Sequence, residues 1–258
     1  MADGSGNISL KESVSAEEWE ARVDLAAMYR LTALHGWDDL IFTHISHRVP
    51  GPEHHFLINP YGMLFEEITA SSLVKVDLNG EIVQETDYMI NPAGFTIHSA
   101  VHMSREDAAV VMHLHTDQGV AVSAQKDGLL PISQTAMVVM HDLAYHDYEG
   151  VALDHDERER IVADLGDKNA LLLRNHGTLT CGETAADAFN RMFFLERACK
   201  MQVMALSAGK ANVLECGDDL QEVVKSQSPK EGIKVLSNLL IWPALKRKLD
   251  RECPEYAN

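Results

Sequence analysis

The sequence predicts a single α/β domain, a mixed sheet with helices over both faces. Three observations lead there. Segments of period-two and period-3.6 hydrophobicity alternate irregularly along the chain, the pattern of strands sharing a sheet with covering helices. No internal repeat, low-complexity linker or charge block divides the 258 residues. Hydrophobic residues make up 46% of the chain, enough for one ordinary core.

Residues 1–14 read as a flexible tail, and the domain is expected over 15–258. A helix begins at Ser15, whose hydroxyl and Glu18 form a capping-box pattern. Trp19, Val23, Ala26, Ala27 and Leu34 recur near helical spacing, and Gly36 suits the stop. IFTHISHR (41–48) and HFLINP (55–60) read as strands. LVKVDLNGEIV (73–83) reads as a hairpin, since Asn79-Gly80 readily supplies the two positive φ angles of a type I′ turn. Pro92 opens a helix through NPAGFTIHSAVHMS. VVMHLHT (110–116) is a strand, followed by a mixed region through Tyr148 and a second apolar strand, ALLLRNHG (170–177). A long helix spans Ala185 to Leu206, capped by Thr184 and Asp187 and ended at Gly209. Residues 210–258 form a C-terminal extension, in which acidic ECGDDL precedes a helix containing LLIWPALKRKLDR.

Net charge is −17, so phosphate backbones and anionic lipid are repelled, and neither nucleic acid nor a membrane is an expected partner. No apolar stretch reaches the roughly 18 residues that a membrane span needs. The polar N-terminus carries no apolar signal region, which points to the cytoplasm. The four cysteines lack paired spacing and fit reduced thiols rather than disulfides or a cysteine zinc site.

Thirteen histidines are the unusual feature. On a strand, residues two apart share a face, so His113 and His115 project together while Val110, Met112 and Leu114 bury the other face. With Cβ atoms about 7 Å apart, both rings can converge on one ion. His176, beside Gly177 at another strand's end, is placed to lean over as a third ligand. Three histidines and an open fourth position make a catalytic metal arrangement. Two ordinary polar histidines at a strand end are the other reading of the same spacing.

HGWDDLIFTHISHR, NPAGFTIHSAVH, VVMHLHT, AYHDYEGV and LLLRNHGTLTCGETAADAFNRMFFLERACKMQ, in that order, resemble the class II aldolase/adducin family. THIS, ITASSLVKVDLNGEIV and AGFTIHSA bring the chain nearest its adducin-head-like, bacterial-type branch. The resemblance implies a three-layer α/β/α domain around a mixed, largely antiparallel sheet. It also implies a homotetramer with active sites at subunit interfaces, and metal ligands at His113, His115 and His176. One divalent ion per subunit is expected, with zinc as the expected metal. Manganese, iron, cobalt and nickel also suit imidazole ligands.

The chain departs from the family's sugar-phosphate aldolases where they carry P-S-S-E. Here the stretch reads Asn91-Pro92-Ala93-Gly94, so Gly94 replaces the glutamate of metal binding and proton transfer. Pro92 and Ala93 replace phosphate-holding serines. Their G-N-I-S loop becomes Thr43-His44-Ile45-Ser46, and their proton-donating tyrosine aligns with Thr135. With few donors left for a dianion, the expected substrate is not phosphorylated. Asn91, Gly94 and Thr135 are expected to line its pocket. The missing glutamate leaves general acid–base work to His98, His44 and Tyr61, or to Tyr145, Tyr148 or Tyr256 across an interface.

The function expected is a metal-dependent lyase, of aldolase or decarboxylase type. It would cleave a carbon–carbon bond of a non-phosphorylated hydroxy-carbonyl or aromatic small molecule through a metal-stabilised enolate. An Fe(II)-dependent oxygenase on the same scaffold and a non-catalytic adducin-like interaction module are the alternatives.

Overall fold

The structure, a computed structural model, describes residues 9–150 and 157–258, leaving aside the side chains of 92–96 and 157. In chain order its elements are helices α1 (Leu10–Ser13) and α2 (Ala16–Leu34), strands β1 (His44–Arg48), β2 (Phe56–Ile58) and β3 (Val74–Val76), and helix α3 (Pro92–Ser104). Next come β4 (Val110–Leu114), α4 (Asp117–Ser123), α5 (Gln134–Met140), β5 (Leu143–His146), α6 (Glu157–Leu165), β6 (Ala170–Leu173) and β7 (Gly177–Gly182). The chain finishes with α7 (Ala185–Leu206), α8 (Asp218–Gln227), α9 (Lys230–Leu236) and α10 (Trp242–Glu252).

The seven strands form one sheet in the order β3-β2-β1-β4-β7-β6-β5. Every neighbouring pair is antiparallel except β5 with β6. The mixed, largely antiparallel sheet is therefore as expected, and helices cover both faces. Ile45, Leu57, Val110, Met112 and Leu114 pack with residues of α2, α7 and α10 in the principal core. On the opposite face Val111, Leu171, Leu179 and Cys181 pack against Ile97 and Val101 of α3 and Ile161 and Leu165 of α6. Phe56, Ile58, Val74 and Val76 make a smaller cluster toward the β3 edge. Among the described residues no helix is long and apolar enough to cross a membrane.

Several local expectations need correction. Ser15 accepts a hydrogen bond from the Glu18 amide at 3.1 Å, as predicted. The Glu18 carboxylate, however, does not close a capping box; it pairs with Arg22 (2.9 Å) and Lys75 (2.8 Å). Such a buried cation draws the acid away from the helix terminus. The 73–83 hairpin forms, but Gly80 alone has the left-handed backbone (φ 85°), so the turn is not type I′. Asp77 caps it, accepting from the amides of Asn79 and Glu81. Within the stretch read as tail, Leu10–Ser13 make one helical turn after Ser9. The mixed region before Tyr148 resolves into α4, α5 and β5. The small-residue run Gly177–Gly182 is a fully buried strand. The C-terminal extension gives Trp242, Leu249 and Tyr256 to the principal core.

Candidate metal centre

The site grows from the middle of the sheet. His113, near the end of β4, pairs with His44 on β1 and with Leu179 on β7. His115 stands one residue past the strand, before Thr116, whose hydroxyl caps α4 by accepting from Gly119 N at 3.0 Å. His176 lies in the three-residue loop joining β6 to β7, where Asn175 takes a positive φ of 57° and His176 N bonds Leu173 O. Gly177 lets that loop press against β4. A Cβ there would fall on the Leu114 carbonyl oxygen and 3.1 Å from His115 Cδ2.

The three rings converge. Centroids lie 4.8 Å apart for His113–His115, 4.8 Å for His113–His176 and 4.9 Å for His115–His176. One nitrogen from each lies within 4.8 Å of the others. The two rings project together as the strand alternation requires, but not from an open face: His113 is buried, while His115 and His176 are half-buried.

Hydrogen bonding fixes what the rings offer. His113 Nδ1–H donates to the Thr178 carbonyl at 3.0 Å, and His115 Nδ1–H donates to the Asp39 carboxylate at 3.1 Å. In the neutral form of both rings, those committed protons leave lone pairs on the two Nε2 atoms, only 3.0 Å apart. Facing lone pairs repel, and a shared cation removes the conflict. The carbonyl and carboxylate behind them are the outer partners that orient imidazole ligands. Burial, then His176 and His115, holds His113 well below its ordinary pKa, and burial takes His176 down to about 4. For His113 and His176 the neutral form that a metal needs is therefore the resting form. This donor set fits a divalent ion.

The other predicted residues are distributed unevenly. His44 adjoins His113 and is pushed down to about 3 by burial, then by His115 and His176. Asn91 Nδ2 lies 3.2 Å from His44 Nε2. His98 is buried on α3, with Nδ1 2.6 Å from Ser46 Oγ. Gly94 lies outside the described residues as far as its surroundings are concerned. Thr135, half-buried on α5, makes no described hydrogen bond to the cluster. Tyr61 is half-buried and joined to Met89 O through its backbone. Tyr145 accepts from Leu129 N, and Tyr256 is buried and donates to Asp250. Tyr148 is exposed, with its ring 6.4 Å from that of His176.

Three supporting residues escaped the sequence reading. Asp39 is set by a tight turn in which Phe42 N bonds Asp39 O at 2.8 Å, with Leu40 (φ 52°) and nearby Thr43 (φ 66°) in left-handed conformations that cost energy without glycine. Thr178 acts through its backbone, for which no side-chain signal exists. Glu196 is buried on α7 and accepts from Thr178 Oγ1 at 2.7 Å and from Thr116 Oγ1. It thus ties the segment after His115 to the segment after His176, and burial raises its pKa. An acid four residues after Met192 on an apolar helical stripe was a readable clue. A cavity of about 430 Å³ lined by Trp37, Asp39, His115, Glu196, Arg197 and Lys200 opens beside the centre.

Comparison with known proteins bears on this geometry. A model of the class II aldolase and adducin N-terminal domain matches residues 23–203. A Caulobacter vibrioides protein, provisionally named an aldolase class 2 protein, is 65% identical over 100% of both chains. Mouse alpha-adducin is 49% identical over 81% of this chain, which corresponds to 29% of the adducin. The solved structure of an L-fuculose 1-phosphate aldolase from Glaciozyma antarctica is 27% identical, covers 93% of each chain and superposes with a TM-score of 0.81.

Proposed function

The chain belongs to the class II aldolase and adducin family, and from that premise we propose that it is a divalent-metal-dependent carbon–carbon lyase acting on a non-phosphorylated hydroxy-carbonyl compound. The observation that carries the reading is the convergence of His113, His115 and His176, with two Nε2 lone pairs 3.0 Å apart and their Nδ1 protons committed. A divalent ion, zinc by this proposal, would supply Lewis-acid stabilisation of the charge that develops when a carbon–carbon bond beside a carbonyl breaks.

This chain's residues do the rest. Thr178 and Asp39 hold the ligand rings in orientation, and Glu196 braces the two segments that carry them. His98 is the proposed proton acceptor, standing in for the glutamate absent at Gly94. Burial, then His44 and His102, holds its pKa well below the ordinary value, so the ring is neutral and keeps one unprotonated nitrogen to accept a proton. No described contact brings Tyr61 or Thr135 to the centre, and neither is carried forward. The family's phosphate-binding serines correspond to Pro92 and Ala93 here, which supports a substrate unlike that named for the Glaciozyma enzyme. By the same proposal the protein is a cytoplasmic homotetramer with active sites between subunits.

The test is metal content followed by turnover. Purified protein should hold about one divalent ion per chain, and His113→Ala should lose both the ion and lyase activity. A full-length protein without stoichiometric metal would instead support an adducin-like interaction module. Oxygen uptake dependent on Fe(II) would support the oxygenase.

A further inference from the structure

One strand over from the metal ligands, four groups settle each other's proton positions. His102 Nδ1 lies 2.8 Å from the Ala108 carbonyl, which can only accept, so Nδ1 carries the proton and Nε2 is an acceptor. Ser46 Oγ, 2.7 Å from that Nε2, donates its proton there. The serine oxygen is then free to accept, and it does so from His98 Nδ1–H at 2.6 Å. His98 is thereby locked as the Nδ1–H tautomer, its Nε2 a bare lone pair. Burial keeps both imidazoles neutral, His102 at about 3.

That Nε2 is buried and has no hydrogen-bond partner among the described residues. The His44 ring meets the His98 ring edge to face, with centroids 5.7 Å apart. The Asn91 amide donates to His44 Nε2, so His44 carries its proton on Nδ1, which is also buried and also without a partner. Two adjoining rings thus leave one desolvated donor and one desolvated acceptor that do not bond each other. Water or a hydroxyl, which donates and accepts at once, satisfies such a pair. The pair adjoins the metal centre, because His44 faces His113 across β1 and β4.

We propose that His44 and His98 form a hydroxyl-binding subsite beside the metal centre, with Ser46 and His102 as positioning residues that hold the His98 acceptor nitrogen ready. This rests on the lyase reading above and narrows its substrate to compounds bearing a hydroxyl a few bonds from the metal-bound carbonyl. A simple keto acid or an aryl carboxylate carries nothing that fills the pair.

The test uses the full chain loaded with zinc and two chelating probes, glycolohydroxamate and acetohydroxamate, which differ by one hydroxyl. Calorimetry should show glycolohydroxamate binding about tenfold tighter, the worth of one well-made hydrogen bond. The preference should vanish in Ser46→Ala and return in Ser46→Thr, with zinc content equal throughout. Equal affinities in the unaltered protein overturn the subsite while leaving the lyase reading intact, and they do so whether or not the variants fold. A preference that survives in Ser46→Ala also overturns it. Failure to bind zinc or either hydroxamate removes the lyase reading and the subsite together.

Discussion

Replacing Asp39 by Asn isolates one outer contact of the proposed metal centre. The carboxylate accepts from His115 Nδ1 at 3.1 Å, and the two side chains are 42% and 29% exposed. At that separation a full charge pair in water interacts by about 1.3 kcal/mol. Exposure and salt argue against using a lower dielectric. The asparagine oxygen still orients the ring but no longer leans charge onto it. Loss of such partners costs about 10–100-fold in metal affinity, and the partial exposure here selects the lower end, about tenfold. The assay is competition for zinc against a chromophoric chelator, at fixed pH and ionic strength, with folding checked by circular dichroism. A dissociation constant within twofold of the unaltered protein would show that Asp39 does not support His115, and the second lone-pair assignment would go with it.

Gly177→Ala should weaken zinc binding by more than tenfold and cost roughly 1–3 kcal/mol, because the new methyl strikes the β4 backbone beside His115; unchanged affinity and urea midpoint would contradict this. Leu40→Gly should leave stability level or raise it by up to about 1 kcal/mol, since relief of the left-handed strain offsets the looser unfolded chain. A loss above 1 kcal/mol in a denaturant titration would count against the strained turn. For pH, burial depresses His44 and His102 to about 3, so the folded state binds fewer protons than the unfolded state. Their contribution is complete above about 6.5 and is lost as pH falls toward 3; these two groups alone contribute a loss of about 4 kcal/mol between pH 7 and pH 5, and His98, His113 and His176, lowered in the same direction, add to it. Urea unfolding of metal-free protein measures it, and a flat profile would refute it.

What could be read beforehand depended on range along the chain. His113 and His115 were legible because strand alternation is local, and the α7 caps at Thr184 were legible because capping spans three residues. His176 was proposed from its place beside Gly177 at a strand end and again from the family resemblance; what spacing could not supply is that β7 lies beside β4. Strand β7 escaped because Gly177, Thr178, Thr180 and Gly182 look like a loop. They are small because Cβ atoms at both glycines would collide with neighbouring backbone. The Asn79-Gly80 turn was misjudged since the Asp77 side chain, not two positive φ angles, organises it. Asp39 supports the centre from a turn distant in sequence, a contact that leaves little trace in periodicity, whereas Glu196 left a clue as an acid on the apolar stripe of α7.

The β4–β7 pairing also sets a timetable for maturation. The two strands are adjacent in the sheet, yet β5, β6 and three helices are made between them. A ribosome-bound chain that has extruded only the first pair of imidazoles holds two of the three proposed ligands. Tight capture of the ion must wait until the later hairpin docks, so metal uptake would report a late step of assembly rather than seed an early one.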